Sequence, residues 1–295
     1  MRLRSPCTLA LVLLTSACSD DGPAAGDLDA TQEDAPVDAP KSREARVPDA
    51  GSAAPHDAST RPHPSPPTTP VEHADRARCD TALEITVRDF TEAHPDFERF
   101  LGALTGIVAP QLGPDKKPVY ASAGPTAAST GPAEFAQWYN DVPGVNQRLS
   151  HRLEFTERSQ GVYVYDNASF FPIDGLGFGN GPAFSWLGPA AHNSLFTTEA
   201  HTTFPYRGGE TFSFSGDDDL WVFLNDRLAI DLGGTHSRVS ASIDLDAEAE
   251  RLGLVKGRSY AMDIFHAERH TDASNFHVDT NLAFVDCGSI PPDPK

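Results

Sequence analysis

Leu220-Trp221-Val222-Phe223-Leu224, then Asn225-Asp226, then Leu228-Ala229-Ile230-Asp231-Leu232: on this stretch the reading of the fold turns. The first segment is apolar without a break. A run that short, bounded by turn residues, reads as a central strand covered on both faces. Asn225-Asp226 is a turn signal, and the second segment returns as the partner of a hairpin that stops at Gly233-Gly234. Period-two alternation recurs on either side, at Leu83 to Arg88, Thr211 to Ser215, Val239 to Leu245, Ser259 to Phe265 and Phe276 to Phe284. Short strands punctuated by turns predict an all-β domain, a β-sandwich or jelly-roll-like barrel. Apolar spacing of three and four residues predicts two short helices, over Asp96–Leu104 and Pro132–Asp141.

The strands occupy only part of the chain. Of 295 residues, 42 are acidic and 23 basic, so the net charge is −19. That balance argues against a nucleic-acid binder and against a polybasic lipid-headgroup surface. No Phe, Trp or Tyr occurs from Met1 to Asp89; the 17 Phe, 3 Trp and 6 Tyr all lie between Phe90 and Phe284. The core must therefore come from the last two-thirds. No apolar run reaches the roughly 18 residues that a membrane-spanning helix needs.

Residues 1–18 read as an export signal: Arg2 and Arg4, an apolar stretch from Leu9 to Leu14, small residues, then Cys18. Leu14-Thr15-Ser16-Ala17-Cys18 resembles a bacterial lipoprotein box, in which the cysteine carries the lipid. Thr15 stands where Leu is usual, and an ordinary signal peptide cut near Ala17 is the alternative. Ser19 after Cys18 points to outer-membrane sorting. Residues 19–78 read as a disordered tether, with ten prolines and no aromatic. Pro64 to Pro70 should be locally extended.

Four cysteines are present: Cys7, Cys18, Cys79 and Cys287. Cys7 leaves with the signal and Cys18 takes the lipid. Cys79 and Cys287 remain, one at each end of the aromatic-rich region. In an exported chain a disulfide between them is the simplest expectation, with two free thiols as the alternative.

Six ordered motifs carry a resemblance. They are Val87-Arg88-Asp89-Phe90 with His94-Pro95-Asp96-Phe97; Asp166 to Gly175; His192 to Glu199; Phe214 to Asn225; Asp231 to His236; and Phe265 to His270 through Ser274-Asn275-Phe276. Together they resemble the fibro-slime domain, itself similar to the wider PA14 group of β-modules. Residues 79–290 are thereby assigned to one such domain. The resemblance implies a PA14-like β-sandwich or barrel, found in adhesins, glycosidases and toxins, where many members bind carbohydrate.

Chemistry concentrates at Gly216-Asp217-Asp218-Asp219. Carboxylates about 4 Å apart repel by about 4 kcal/mol at an effective dielectric of 20, so adjacent acids call for neutralisation. Calcium prefers such oxygens. The resemblance implies an Asp-Asp pair joined by a cis peptide that holds calcium, which in turn touches sugar hydroxyls. Eight residues on from Asp217 lies Asn225, the expected further ligand. Asp219 stands where many PA14 modules have Gly, which leaves open which two aspartates coordinate. A solvated turn with capping carboxylates is the competing reading.

His266, Glu268 and His270 alternate as one strand face would, a pattern open to zinc or iron. Arg269 beside Glu268 makes an ion pair the simpler account. His236 faces the same mouth or caps a turn. Trp138, Tyr139, Trp186 and Tyr206 are candidates for stacking on sugar rings, or for the core. His236, Glu268, Arg269 and Trp138 are thus the expected ligand contacts. Asn167-Ala168-Ser169 matches a glycosylation acceptor, incidental in a bacterial lipoprotein. There is no Gly-x-Ser-x-Gly elbow and no phosphate-cradling Gly-rich loop. The sequence therefore points to a cell-surface, calcium-assisted module for extracellular polysaccharide or matrix. It is not read as an enzyme. A structural matrix component joined by protein contacts is the alternative, and a polysaccharide-acting enzyme the least favoured reading.

Overall fold

The computed structural model describes residues 79, 81–99, 101–181, 191–270 and 273–288. The export signal, the tether, Cys18 and Trp186 lie outside the described residues. Within them the chain forms β1 (Ala82–Asp89), α1 (Pro132–Ala136), β2 (Gln147–Glu154), β3 (Thr156–Ser159), β4 (Val162–Asn167) and β5 (Phe196–Tyr206). It continues through β6 (Thr211–Gly216), β7 (Asp219–Leu224), β8 (Arg227–Leu232), β9 (Val239–Asp244), α2 (Leu245–Leu252), β10 (Arg258–Glu268) and β11 (Phe276–Thr280). Six strands make one sheet in the order β2-β1-β5-β10-β7-β8, and five make a second in the order β3-β4-β11-β6-β9. All pairings are antiparallel. This is the all-β, two-sheet arrangement that the alternation predicts.

The quoted stretch becomes β7 and β8, joined through Asn225 and Asp226, whose φ angles are 53° and 63°. Two successive left-handed residues suit a tight hairpin, and Asn and Asp tolerate that geometry better than most. Every side chain of β7 is buried. Leu220, Val222 and Leu224 enter the core between the sheets, with Phe212 and Phe214 from β6 and Val278 from β11. Trp221 and Phe223 point the other way, into a second cluster with Ile107, Phe135, Trp138 and Tyr139. The long connection between β1 and β2 therefore covers the outer face of the six-stranded sheet. Burying a side chain of this size contributes about 1.5–3 kcal/mol.

The local departures from expectation have local causes. Residues 96–99 and 101–104 form turns, bends and irregular backbone, not a helix: Glu98 has φ 57° and Gly102 φ 72°. The Glu98 N–H donates to the Arg269 carbonyl at 2.7 Å, outside any helical ladder. α1 ends at Ala136, short of Asp141, and the Asn140 amide caps the Ala136 carbonyl at 2.7 Å. β11 ends at Thr280, not Phe284. The end of the expected Val239–Leu245 strand turns into α2. There the Asp244 side chain accepts from the Asp246 and Ala247 N–H groups, and Gly253 closes the helix with φ 68°. Cys79 and Cys287 form the expected disulfide, with Cα atoms 4.9 Å apart. Closing a loop of that length contributes up to about 5 kcal/mol in the chain-entropy picture.

The covering segment is also strapped by charge. Lys117 reaches Glu199 at 2.6 Å, and Arg88 lies 3.3 Å from the same carboxylate. His201 bonds Asp263 at 2.7 Å and stands 3.9 Å from Glu199. Burial would raise the Glu199 carboxyl, but the His201 hydrogen bond, Arg88 and Lys117 outweigh it and hold it at about 2. Burial would lower His201, but Asp263 and Glu199 outweigh it and lift it to about 9. A raised histidine contributes fully below its ordinary 6.5 and loses that contribution as pH climbs through about 9. A depressed carboxyl contributes fully above 4.5 and loses it as pH falls toward about 2. Urea midpoints should therefore decline from pH 6.5 to 9. His201→Gln should flatten that decline; an unchanged slope in the variant would assign it to other groups.

Candidate functional site

The Gly216–Asp219 loop joins the end of β6 in one sheet to the start of β7 in the other. A Cβ at Gly216 would lie 2.5 Å from the Asn275 carbonyl oxygen, so only glycine lets the backbones meet there. The Asp217–Asp218 peptide is cis. The three carboxylates diverge to different partners. Asp217 accepts the Asn275 backbone N–H at 2.6 Å and its side-chain amide at 2.5 Å. Asp218 accepts the backbone N–H groups of His236 and Arg269, both at 3.0 Å. Asp219 turns inward, accepting Gly234 N–H at 2.6 Å and Arg269 Nε–H at 2.6 Å.

Asp219 and Arg269 are both fully buried. The guanidinium also donates through Nη1 to the Asp96 and Ala128 carbonyls, and lies 4.5 Å over the Trp138 ring. Trp138 Nε1 donates to the Asp96 carboxylate at 3.1 Å, which also accepts from Ser129 and Thr130. Burial would lower the Arg269 pKa, but Asp219 more than reverses this. Burial first, then the neighbouring Asp219, pushes the Asp218 carboxyl well above the usual range. Burial and then Asp218 and Asp217 do the same to Glu268. His266, fully buried, is pushed down to about 4, chiefly by desolvation. Its neutral ring donates from Nε2 to the Asp217 carbonyl at 2.9 Å.

The loop opens on a cleft of about 260 Å³ lined by Asp217, Asp218, His236, His270 and Asn275 among others. The side chain of Asp219 is thus structural, and the outer pair faces the cleft. His236 is in the wall as expected. Three other expected ligand contacts are not. Trp138, Glu268 and Arg269 lie beneath the loop at 0–1% exposure and offer no surface to a sugar. Tyr139 and Tyr206 are core residues as well. Asn225 also departs from expectation. It occupies the β7–β8 turn, about 20 Å along the strand from Asp218 at the usual rise per residue, and its amide donates to the Leu252 carbonyl at 2.9 Å. His266, Glu268 and His270 do not share one strand face, because β10 stops at Glu268. Among the described residues no three His, Cys, Asp or Glu side chains come together as a metal-holding group.

The residue that sequence spacing missed is Asn275. It reaches the loop because β11 pairs with β6, setting Phe276 opposite Gly216. Its amide oxygen is buried with no hydrogen-bond partner among the described residues. Its only sequence signal is its place in the closing motif Ser274-Asn275-Phe276.

With this geometry in hand, residues 184–294 match the family model of the PA14 domain. The chain is similar to protein psiD of Dictyostelium discoideum, 40% identical over an alignment of 216 residues that covers 69% of this chain and 42% of psiD. It is similar to psiJ of the same organism, 40% identical over 226 residues, covering 69% of this chain and 31% of psiJ. The chain thus spans less than half the length of these curated relatives. Among solved structures, the PA14 sugar-binding domain from an RTX adhesin aligns over 68% of this chain and 90% of that one, at 8% identity and a TM-score of 0.27.

The buried ion pair makes a stability prediction. Arg269→Met leaves Asp219 charged and unpaired in the interior, and should cost about 3–5 kcal/mol in urea unfolding. Adding Asp219→Asn should recover much of that loss. A single variant as stable as the parent would show that the pair does not hold the loop.

Proposed function

We propose that this chain is an exported carbohydrate-binding module, held at a cell surface through Cys18, in which calcium at the Asp217–Asp218 loop takes part in recognition. The supporting observation is the donor set at one cleft: two carboxylates and the unpartnered amide oxygen of Asn275. A hard cation prefers oxygen ligands of this kind. The placement of the acids supports the same reading. Asp219 pairs with the buried guanidinium of Arg269, while Asp217 and Asp218 line the cleft. Asp217, Asp218 and Asn275 would hold the ion, and calcium when bound would offer open coordination positions to paired sugar hydroxyls. The protein's own part is rigid presentation. Neutral His266 fixes the Asp217 carbonyl, and Arg269 fixes Asp219 beneath the loop.

Calcium at 100 times its Kd should stabilise the fold by about 2.7 kcal/mol. That corresponds to a rise of roughly 5–10 °C in Tm for a domain of this size. Asp217→Asn and Asn275→Ala should each abolish the shift, and chelator should release the protein from a glycan array. Calorimetry without heat and a melt without a shift would remove the ion from this reading. Glycan binding that survives chelation would keep the carbohydrate and discard the bridge. No glycan binding, with capture of an envelope protein instead, would favour the structural matrix role. Display at the membrane predicts incorporation of labelled palmitate that is lost in Cys18→Ser; equal labelling of the variant would refute the anchor.

A further inference from the structure

A second cleft of about 370 Å³ adjoins the first. Its floor is apolar, made by Phe90 and Leu195, which pack with Phe97. One wall carries Phe178, 43% exposed. That exposure is built in. Phe178 N–H is held by the buried carboxylate of Asp89, and a Cβ at Gly177 would collide with the same group. Asn180 closes the loop, accepting Gly175 N–H and donating to the Ala191 carbonyl, both at 2.6 Å. The aromatic face is thus fixed at the surface by groups that are themselves satisfied.

Two polar groups of the cleft have no protein partner among the described residues. The Ser194 hydroxyl and the Glu92 carboxylate, both in the lining, make no hydrogen bond or ion pair among the described residues. Volume, an aromatic wall and a few placed polar groups are the usual composition of a small-ligand site. A flat apolar ring beside hydroxyl and carboxylate groups suits a sugar ring, which has apolar C–H faces and an edge of hydroxyls.

The two clefts share a wall. Glu98 lines the second cleft and His270 the first, with their side chains 3.9 Å apart. The Glu98 N–H bond to the Arg269 carbonyl, at 2.7 Å, pins that wall through the backbone. We propose that the Phe178 cleft is a second saccharide subsite, adjoining the aspartate loop, so that the chain recognises at least two consecutive units of a glycan rather than a terminal monosaccharide. This rests on the carbohydrate reading above.

The test titrates the full chain, with calcium present, with glucose, mannose and galactose. The same titrations use cellotetraose and the β-1,4-linked tetrasaccharides of mannose and galactose. For the sugar that binds, the tetrasaccharide should be tighter than its monosaccharide by about tenfold, the scale of one added aromatic contact. Phe178→Ala should erase most of that gain, with monosaccharide affinity and Tm unchanged. Phe178→Trp should retain the gain, and Glu92→Gln should reduce it. Asp217→Asn should abolish binding of both forms. Equal affinity for the two forms, or a gain that persists in Phe178→Ala, overturns the second subsite while leaving the loop reading intact. No saccharide binding at all overturns both.

Discussion

Arg269 and Asp219 are held together where water does not reach, and three separate parts of the chain converge on them. Asp219 opens β7, Arg269 follows the end of β10, and Asp96, Ala128 and Trp138 belong to the segment that covers the sheet. Desolvating two charges costs several kcal/mol for each, and attraction offsets this only where further hydrogen bonds complete the geometry. Here Gly234 N–H supports the acid, and two carbonyls at Nη1 and an indole face support the guanidinium, while Nη2 is buried without a hydrogen-bond partner among the described residues. A hydrophobic pair could fill the same space, but it would not fix the direction of the loop. With Asp219 turned inward, Asp218 and Asp217 are left to face the cleft.

The sheet registers bring that loop to its place. β10 pairs with β7 so that Ala267 sits opposite Asp219 and His266 opposite Leu220. His266 then meets the Asp217 carbonyl from within an aromatic surround of Phe170, Phe196 and Phe276. Its ring must be uncharged there, because imidazolium would be desolvated among hydrocarbon. Its depressed pKa, at about 4, keeps the donor arrangement constant across neutral and mildly acidic conditions. A histidine that resembles a metal ligand in the sequence is better explained as a fixed N–H donor.

How much could be read in advance followed from the range of the interactions. Leu220 to Leu224 was legible because an unbroken apolar run with a turn after it has few other solutions, and the two faces of β7 do bury into two clusters. β2 and β5 were harder. His151, Thr202 and Thr203 interrupt the apolar rhythm, and hydrogen bonding to neighbouring strands rather than side-chain patterning makes them strands. The apolar spacing from Asp96 to Leu104 mimics a helix because it serves burial of Phe97 by a turn, with Glu98 in left-handed backbone. The aspartate loop was visible as chemistry. Its partner was not. Asn225 is near in sequence and far in space, whereas Asn275 is distant in sequence and adjacent through the β6–β11 pairing. Trp138 and Arg269 were assigned to recognition by residue type, yet each satisfies the other underneath the site.

The acids around the loop divide into two kinds, and the division bears on what the site can recognise. Asp219 has its charge matched by a guanidinium, and Glu268 is driven toward its neutral form by burial and by its neighbours. Asp217 and Asp218 accept N–H groups from Asn275, His236 and Arg269. Neutral donors stabilise a carboxylate without cancelling its charge, and burial first, then the neighbouring Asp219, raises Asp218 in the same direction as Glu268. A carboxylate at the cleft therefore meets a partner in one of two ways, as an anion that takes positive charge or as a neutral acid that donates its proton, and the raised Asp218 favours the second until positive charge arrives.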